Sequence, residues 1–361
     1  MKKYIKHVSA LVFAIAIVSF WGCEENENSN STKPKARGAI GEIVLAIDSL
    51  KWQGPVGDAL RDVFEDDVEG LIREESRFDI RKVDPRGMSR ILKMATNIVY
   101  VTTFDDRRSA SQSINSQFTK EAKEKAAADP NLYLLRSVDE FAIGQEVLYL
   151  FGRTEAELVE NLKKNKNKIQ GLFQARERER LAKGLMSRKN ATAAAEARNF
   201  GLEINVPASY QIAKTADDFL WLRQPTPSTN RPDISIFFYE TEYTSEDQVQ
   251  PEALLNLRTE ISKMHIYGDP NNRNSYLITE EIDPTPIFTN SRINDKFAIE
   301  IRGGWKTNNM SMGGSFLAYA VLDPDKGKLY YMEGFVYYPN EAHRESIREI
   351  ETILQATAIT P

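Results

Sequence analysis

The sequence predicts two unlike folded parts: an N-terminal α/β part with a mainly parallel or split sheet, and a C-terminal α+β part whose antiparallel sheet carries packed helices. Two observations predict this division. Between residues 43 and 173, continuous apolar runs alternate with apolar residues at helical spacing, which is typical of buried parallel strands joined by helices. After residue 201, several strands with alternating polarity surround one helix and end in another, which favours antiparallel pairing.

The start of the chain has the pattern of a secretion signal. Three lysines precede an apolar run at 8–20, which is shorter than the roughly 18 residues that a spanning helix needs. Gly22 and Cys23, the only cysteine, then resemble the end of a lipobox, where the sulfur takes a diacylglycerol and the signal is removed. We therefore expect lipidation of Cys23 and contact with the membrane through this lipid anchor. Ordinary secretion without lipidation is the alternative.

Composition sets the predicted boundaries along the chain. Residues 24–38 contain no large apolar side chain, so we expect a flexible tether. The acidic start of this tether resembles a signal for export to the cell surface, and a solvated spacer is the alternative. The predicted segments are a signal peptide at 1–22, the lipidated cysteine and tether at 23–38, an α/β domain at 39–187, a linker helix at 188–200 and an α+β domain at 201–361.

Net charge and cysteine content exclude several functions. Removal of the signal takes away three lysines and no acid, so the formal charge falls from −5 to −8, and we expect no nucleic-acid partner. Acylation of Cys23 would leave no thiol, which excludes disulfides, thiolate catalysis and cysteine metal sites. The nucleotide motifs G-x-x-x-x-G-K-[ST] and G-x-G-x-x-G are absent. We expect neither a cofactor nor a metal.

In the N-terminal part, apolar periodicity predicts alternating strands and helices. Proline at position 55 suits a first helical turn. The predicted strands are 43–47, 78–83, 99–104 and 146–151, and the predicted helices are 55–64, 88–99, a surface helix within 107–130 and a long helix from 155.

In the C-terminal part, the predicted strands are 202–207, 219–223, 233–239, 276–281, 296–301, 315–322 and 329–337, with helices at 251–264 and 347–354. We expect 219–223 and 233–239 to be antiparallel partners. The order of several strands, a helix, more strands and a closing helix is similar to the PsbP/Mog1-like fold. This analogy concerns the fold alone.

The first candidate site is the loop after the first strand. Ligands of open α/β sheets bind at the carboxyl ends of the strands, and a helix N-terminus offers free N–H groups. A structural turn capped by the tryptophan is the alternative. The candidate residues are Asp48, Trp52, Gly54, Pro55, Gly57 and Asp58.

The second candidate site contains two glycine pairs around a ten-residue connection. Glycines in strands mark bulges or places where another backbone comes close, and Met310 and Met312 suit an adaptable contact surface. Bulged strands with ordinary core aromatics are the alternative. The candidate residues are Arg302, Gly303, Gly304, Trp305, Gly313, Gly314 and Phe316.

Catalytic signatures are absent from the sequence. We expect His265 and His343 to be surface or half-buried side chains, since neither has a second ligand at metal spacing. No Ser–His–acid arrangement is evident. A hydrolase of envelope glycan or peptide that uses only carboxylates, such as Asp48 or Asp58, stays open because pairs formed in space are invisible in sequence.

Several segments together resemble a known family. They are GEIVLAIDSLKWQGPVGDALRDVF, DDFLWLRQ, the GGW and MGGSF pair, and EGFVYYPN, in a chain with Cys23 at a lipoprotein position. The set is similar to an uncharacterised Bacteroidetes lipoprotein family, domain of unknown function 4837, over almost all of the chain after the tether. The resemblance implies envelope location and no activity, and we expect the protein at the outer membrane. The anchor, the polar tether and the lack of a catalytic set predict a non-enzymatic envelope protein that binds a partner protein or a small ligand, with both candidate surfaces facing a cleft between the domains. A role only in the assembly of an outer-membrane complex is the alternative.

Overall fold

The structure is a computed structural model that describes residues 33–224, 226, 230–269, 271–272 and 274–360. The predicted signal, Cys23 and most of the predicted tether lie outside the described residues. From Pro34 onward the chain forms one compact unit, described below as an N-terminal part (34–185) and a C-terminal part (191–360). Within the described residues, no helix combines the length and apolarity of a bilayer-crossing segment.

The N-terminal part contains a five-stranded sheet in the order β2-β1-β3-β5-β4. Four strands run parallel, and only the edge strand β4 is antiparallel, so the predicted mainly parallel sheet is confirmed. Every residue of β3 is buried, as expected for a strand covered on both faces. The strands are β1 Glu42–Ile47, β2 Asp79–Val83, β3 Asn97–Thr103, β4 Leu134–Val138 and β5 Glu146–Gly152.

Helices cover both faces of this sheet. The helices on one face enclose Phe64, Phe78 and Phe173, whose rings meet edge to face at 5.8–6.3 Å between centroids. Phe118 and Phe151 pack on the other face. In chain order the helices are α1 Ser49–Trp52, α2 Pro55–Phe64, α3 Ser109–Asn115, α4 Lys120–Ala128, α5 Glu155–Lys164 and α6 Lys166–Leu185.

The prediction of a helix at 88–99 is wrong. Two short 3₁₀ turns, Pro85–Gly87 and Leu92–Met94, take its place, and the side chain of Ile91 is 76% exposed. The carbonyls of residues 93–95 accept hydrogen bonds from the Gln145 amide and the Arg37 N–H. Contacts with distant segments have therefore replaced the helical bonds that the apolar spacing suggested.

The described end of the predicted tether is attached to this part. Pro34 O accepts from the Ile143 N–H at 2.8 Å, and the Ala36 N–H donates to Ile143 O at 2.8 Å. Lys35 and Arg37 form parallel bridges to residues 143 and 95. From Pro34 the chain thus lies along the folded body, although its composition predicted a tether as far as residue 38.

An eight-stranded antiparallel sheet dominates the C-terminal part, in the order β10-β12-β13-β14-β9-β8-β7 with β11 also paired to β12. The predicted antiparallel pairing of 219–223 with 233–239 is confirmed. The strands are β7 Gln211–Ala216, β8 Phe219–Gln224, β9 Asp233–Glu242, β10 Leu277–Thr279, β11 Ile287–Ile293, β12 Lys296–Thr307, β13 Gly313–Asp323 and β14 Lys328–Tyr337. The sequence analysis missed β7 and β11.

The strand predicted at 202–207 is shorter than expected. It consists of β6 Leu202–Glu203, which pairs with the terminal β15 Ala358–Ile359. The helix α7 Ala191–Arg198 lies in the segment predicted as a linker. Its Ala193 and Ala197 are fully buried in the C-terminal core.

Helices pack on both faces of the C-terminal sheet. α9 Arg344–Gln355 presents Ile347, Ile350 and Leu354 to one face. A Cβ at Gly334 would lie 2.3 Å from the side chain of Ile350, so this glycine permits the close approach of α9 to β14. The predicted helix α8, Pro251–His265, covers the middle of the other face.

A buried ion pair fixes α8 to the sheet. The Arg258 guanidinium donates to both carboxylate oxygens of Glu333, at 2.8 and 2.7 Å, and both residues are at most 1% exposed. The Tyr331 hydroxyl donates to the same carboxylate at 3.0 Å, and the guanidinium lies 4.1 Å from the centre of the Phe316 ring. These contacts satisfy both charges in the interior, which a buried pair requires.

The segment between α2 and β2 joins the two parts. The Glu75 carboxylate accepts from the backbone N–H groups of His343 and Arg344 at the start of α9, at 2.7 and 2.8 Å. The Ile72 N–H donates to the Ser315 hydroxyl. Negative charge at a helix N-terminus is stabilising, so Glu75 caps a helix of the other part. These bonds connect the two parts of the chain.

We expect Arg258→Met to destabilise the protein by about 3–5 kcal/mol, because the Glu333 carboxylate would stay buried without its partner charge. The double variant Arg258→Met/Glu333→Gln should recover most of this loss, since it removes both charges and keeps an acceptor for Tyr331. Urea unfolding of the wild type, both single variants and the double variant measures the coupling. A loss of under about 1 kcal/mol for Arg258→Met would contradict the role assigned to the pair.

His343 predicts a pH dependence of stability. It is 1% exposed, unlike the surface or half-buried side chain expected from sequence. Its Nε2–H donates to Tyr338 O, and Nδ1 accepts from the Ser315 hydroxyl. Burial lowers the pKa of His343 below its usual 6.5. The unfolded chain therefore binds the proton more tightly, and stability should decline as the pH falls below about 6.5.

Unfolding free energies at pH 7.5 and 5.5 check this expectation, with His343→Gln as the matched variant. The wild type should lose more stability on acidification than His343→Gln does. Equal losses in the two proteins would show that His343 does not contribute to the pH dependence.

Candidate functional site

A cavity of about 450 Å³ lies at the C-terminal end of α8. Where α8 stops at His265, side chains of β8, β12 and β14 on the same sheet face are left without a helix above them. Because alternate strand residues face the same side, large rings from the three strands converge there. The aromatic lining is Trp221, Tyr267, Trp305, Phe335 and Tyr337, and the remaining lining includes Arg223, Asp233, Ser235, Gly268, Asp269, Asn271, Ser311 and Met312.

The two tryptophans of the pocket differ in their hydrogen bonding. The side chain of Trp305 donates from Nε1 to Val336 O at 3.1 Å. Trp221 is 3% exposed, and among the described residues its Nε1 has no hydrogen-bond partner. A buried donor without a partner costs about 1–3 kcal/mol. This N–H has almost no accessible surface, so a ligand in the cavity does not reach it.

Charged groups of both signs line the pocket together with the aromatic rings. Arg223 and Asp233 form an ion pair, and the Arg223 guanidinium lies 5.8 Å from the centre of the Trp221 ring. Asp269 accepts from the backbone N–H of Asn271 and from the Ser311 hydroxyl. These hydrogen bonds, that of Asn271 first, hold the pKa of Asp269 below its ordinary value. The carboxylate is therefore ionised at neutral pH.

The second predicted surface contributes part of this pocket. Trp305 and Met312 line it, and Met310, at φ +60° and 70% exposed, lies on the adjacent hairpin. The predicted ten-residue connection is shorter than expected. β12 continues to Thr307, β13 begins at Gly313, and only residues 308–312 connect them.

The two glycine pairs lie on the paired strands β12 and β13, each opposite larger residues of the other strand. Gly303 faces Phe316, Gly304 faces Ser315 and Gly314 faces Trp305. A Cβ at Gly314 would lie 1.9 Å from Val336 O and 2.9 Å from the Trp305 Nε1. Gly314 thus leaves the space in which the Trp305 indole reaches Val336, which is the close approach that the sequence pattern suggested.

Arg302 and Phe316 do not line the pocket. Phe316 is buried against the Arg258 guanidinium. Arg302 pairs with Glu300 and Glu351 on the α9 side of the sheet. A smaller cavity of about 290 Å³ lies beside Arg302, between the two parts of the chain.

In the first predicted site, ion pairs fill the carboxyl ends of the parallel strands. Asp48 accepts from the backbone of residues 50 and 51, and its carboxylate lies 2.7 Å from Arg108. The fully buried Lys51 Nζ lies 2.6 Å from Glu155 and 3.3 Å from Asp106. Each carboxylate therefore has a cationic partner, and no free acid–base pair results.

Sequence reasoning missed four residues of this cluster: Lys51, Asp106, Arg108 and Glu155. A signal was present, because Asp106 and Glu155 follow β3 and β5 much as Asp48 follows β1. Burial would raise the pKa of Asp106, but hydrogen bonds from Arg108 and Ser111 outweigh it and lower the pKa. An ionised, paired carboxylate is a poor general acid.

The loop residues have structural explanations. Arg61 lies 4.6 Å from the centre of the Trp52 ring and pairs with the exposed Asp58. A Cβ at Gly57 would lie 1.7 Å from Trp52 O, so glycine is required where α2 passes α1. Gly54 precedes α2, and Pro55 is its first residue.

The two predicted surfaces do not share a cleft. Asp48 follows the end of β1, whereas Arg302 lines the same cavity as Arg344, which pairs with Asp79 at the start of β2. The six residues of β1 separate these ends by roughly 20 Å, at about 3.3 Å per residue.

A larger groove of about 860 Å³ lies at the N-terminal end of α8, beside the partly exposed Phe288 and the exposed Phe297. The described residues contain no cluster of potential metal ligands. We call the pocket at the C-terminal end of α8 the aromatic pocket, after the five aromatic side chains that line it.

Family comparisons divide the chain into two domains. Residues 36–186 match the family model "Domain of unknown function (DUF8532)", and residues 189–356 match "Domain of unknown function (DUF4837)". The expected resemblance to family 4837 over almost the whole chain is therefore wrong in extent, because that match is confined to the C-terminal part. No curated protein sequence is significantly similar to this chain.

Distant structural neighbours include a Mog1 protein, as the order of elements suggested. The Saccharomyces cerevisiae Ran-binding protein Mog1p shares 7% identity over 44% of this chain and 90% of its own, with a TM-score of 0.30. LpqN, involved in cell envelope biogenesis of Mycobacterium tuberculosis, shares 12% identity over 44% of this chain and 83% of its own, with a TM-score of 0.27. A Bacteroides thetaiotaomicron protein shares 7% identity over 45% of this chain and 46% of its own, with a TM-score of 0.27. We draw no functional argument from them.

We expect Lys51→Met to destabilise the protein by about 3 kcal/mol, because three carboxylates would be left with Arg108 as their only cation. Lys120→Met is the matched control. It removes a lysine from an exposed pair with Glu124 and should change stability by less than about 0.5 kcal/mol. Urea unfolding at pH 7 compares them, and equal effects would contradict a structural role for the cluster.

Proposed function

We propose that this protein is a lipid-anchored cell-envelope protein, held through Cys23 at the outer membrane, and that it acts as a non-enzymatic binding module. The lipobox-like sequence around Cys23 supports the anchor, as does the sequence resemblance to a Bacteroidetes lipoprotein family.

The observation that carries the binding function is the aromatic pocket itself, a cavity of about 450 Å³ in which five aromatic side chains and several polar groups converge. Ligand sites are typically apolar clefts of about 300–1,000 Å³ with a few polar groups that fix orientation. The aromatic pocket has this size and composition. A small molecule is therefore the occupant that we propose, and a side chain of an envelope partner protein is the second candidate.

A carboxylate hydrolase of envelope glycan or peptide has less support. Asp48 is held by Arg108, and Asp58 by Arg61. Glycoside hydrolysis needs one carboxyl group with a raised pKa facing a second across the substrate. The acidic residues at the carboxyl ends of the parallel strands are instead neutralised by Lys51 and Arg108.

Metabolic labelling with radioactive palmitate tests the anchor. We expect label in the wild-type protein and in the membrane fraction, and none in Cys23→Ser, because serine has no sulfur to accept the diacylglycerol. An unlabelled wild-type protein found free in the culture fluid would refute the lipid anchor.

Native mass spectrometry tests the binding function. The purified full-length lipoprotein is incubated with small molecules extracted from cell envelopes, and Trp305→Ala and Trp52→Ala are compared with the wild type. We expect an adduct in the wild type and in Trp52→Ala that is lost in Trp305→Ala. The absence of any adduct that depends on Trp305 would contradict a small-ligand function.

A further inference from the structure

We infer that the exposed edge of β11, together with the groove beside it, binds an extended cationic peptide segment of a partner protein as an additional strand of the sheet. The groove lies at the N-terminal end of α8 and the aromatic pocket at its C-terminal end, so this surface is independent of the ligand proposed for the aromatic pocket. Three observations support the inference: an unpaired strand edge, an apolar groove next to it, and an excess of carboxylates around the groove.

The outer edge of β11 has unused backbone hydrogen-bonding groups. β11 pairs with β12 over seven residues without a register shift, and a two-residue turn connects them. In such a hairpin the closing residues, Ile293 and Lys296, bond to each other, and the pattern repeats at every second residue. The N–H and C=O groups of Phe288, Asn290 and Arg292 therefore point away from β12. Within the described residues, no other strand pairs with β11.

The opposite edge of the sheet is protected against further pairing. Its edge strand, β7, has a bulge between Ile212 and Lys214, and the Lys214 ammonium donates to Met264 O at 3.0 Å. Bulges and lysines are common devices that prevent an edge strand from pairing with another chain. β11 has neither device, and its Thr289 and Asn290 are exposed. The β11 edge can therefore accept another strand.

The apolar groove lies next to this edge, on the face of the sheet that α8 covers. Phe288 and Asn290 of β11 line it, and Phe297 of β12 is 41% exposed there. Ile299 and Leu322 extend the apolar floor. Side chains alternate along a strand, so every second side chain of an added strand would face the groove. A large apolar side chain at such a position would cover the Phe297 ring, and pockets for alternate side chains give sheet-extending peptides their specificity.

The charged groups around the groove favour a cationic segment. The carboxylates that line it belong to Glu246, Asp295 and Asp325. The cationic residue of the lining, Lys296, lies 2.6 Å from the buried Asp323, which neutralises it. Arg292 of β11 is exposed and offsets one of the three carboxylates. A segment with lysine or arginine beside its apolar side chain would complement the remaining negative charge, and an acidic segment would be repelled.

Fluorescence anisotropy with synthetic peptides tests the inference. The probes have the sequence Thr-Lys-Thr-X-Thr-Lys-Thr, in which X is Val, Leu, Phe or Tyr, and carry a neutral fluorophore. The lysines and X therefore lie on one face of the extended peptide. Each probe has a counterpart with Glu in place of Lys. We expect at least one lysine peptide to bind the full-length protein with a dissociation constant below about 1 mM, and its glutamate counterpart to bind at least about tenfold more weakly.

Variants of the edge and of the groove test the two parts of the surface. Asn290→Pro removes the outward N–H, and proline is tolerated on an edge strand where the N–H faces solvent. We expect it to weaken peptide binding about tenfold, because one carbonyl of the peptide loses its donor. The matched control Asn290→Thr keeps the N–H and should bind like the wild type. Phe297→Ser removes the exposed ring and no backbone group, and it should also weaken binding about tenfold.

Thermal unfolding shows whether each variant is folded, and Phe297→Ser decides the outcome if Asn290→Pro does not fold. Affinity that the folded variants leave unchanged would overturn the inference. Equal affinity for lysine and glutamate peptides would overturn it as well, as would the absence of binding to every probe. Sedimentation velocity checks the other occupant: a dimer that Asn290→Pro dissociates would assign the edge to a second copy of this chain in place of a peptide.

Discussion

The Arg258–Glu333 ion pair determines where the second face of the C-terminal sheet is open. It holds α8 over the middle of that face by two hydrogen bonds deep in the core. A helix of fifteen residues is about 22 Å long, whereas the ten residues of β9, which starts at Asp233 in the aromatic pocket and ends beside the groove, span roughly 33 Å. The helix cannot cover the strands from end to end, so a groove remains at its N-terminal end and the aromatic pocket at its C-terminal end.

The two ends of the parallel sheet have different roles. At its carboxyl ends, where open α/β sheets usually bind ligands, Lys51 and Arg108 neutralise the acidic side chains. At its amino ends, residues 72–79 join the C-terminal part through Glu75 and Asp79. The N-terminal part therefore contacts and stabilises the start of α9. The candidate binding site lies wholly in the C-terminal part.

The sequence predicted the elements with strong local patterns. For three elements, the sequence pattern that predicted them lies within a few residues. These patterns are the buried apolar run of β1, the proline at position 55 where α2 begins, and the apolar face of α8. The prediction of a helix at 88–99 failed because Gln145 and Arg37, both distant in sequence, donate hydrogen bonds to backbone carbonyls of this segment. Trp305 was predicted as a contact residue, but Trp221 was not. Both lie in apolar strands, and only the packed sheet shows that Trp305 has an acceptor in Val336 and Trp221 has none.

The indole N–H resonance of Trp305 tests the central claim most directly. In a ¹H–¹⁵N spectrum of the ¹⁵N-labelled protein, Trp305 and Trp52 each give one indole signal, which substitution to phenylalanine assigns. Addition of the envelope molecule found by native mass spectrometry should shift the Trp305 signal, because Trp305 lines the aromatic pocket, and should leave the Trp52 signal in place. A Trp305 signal that stays unchanged while the ligand binds would contradict the account.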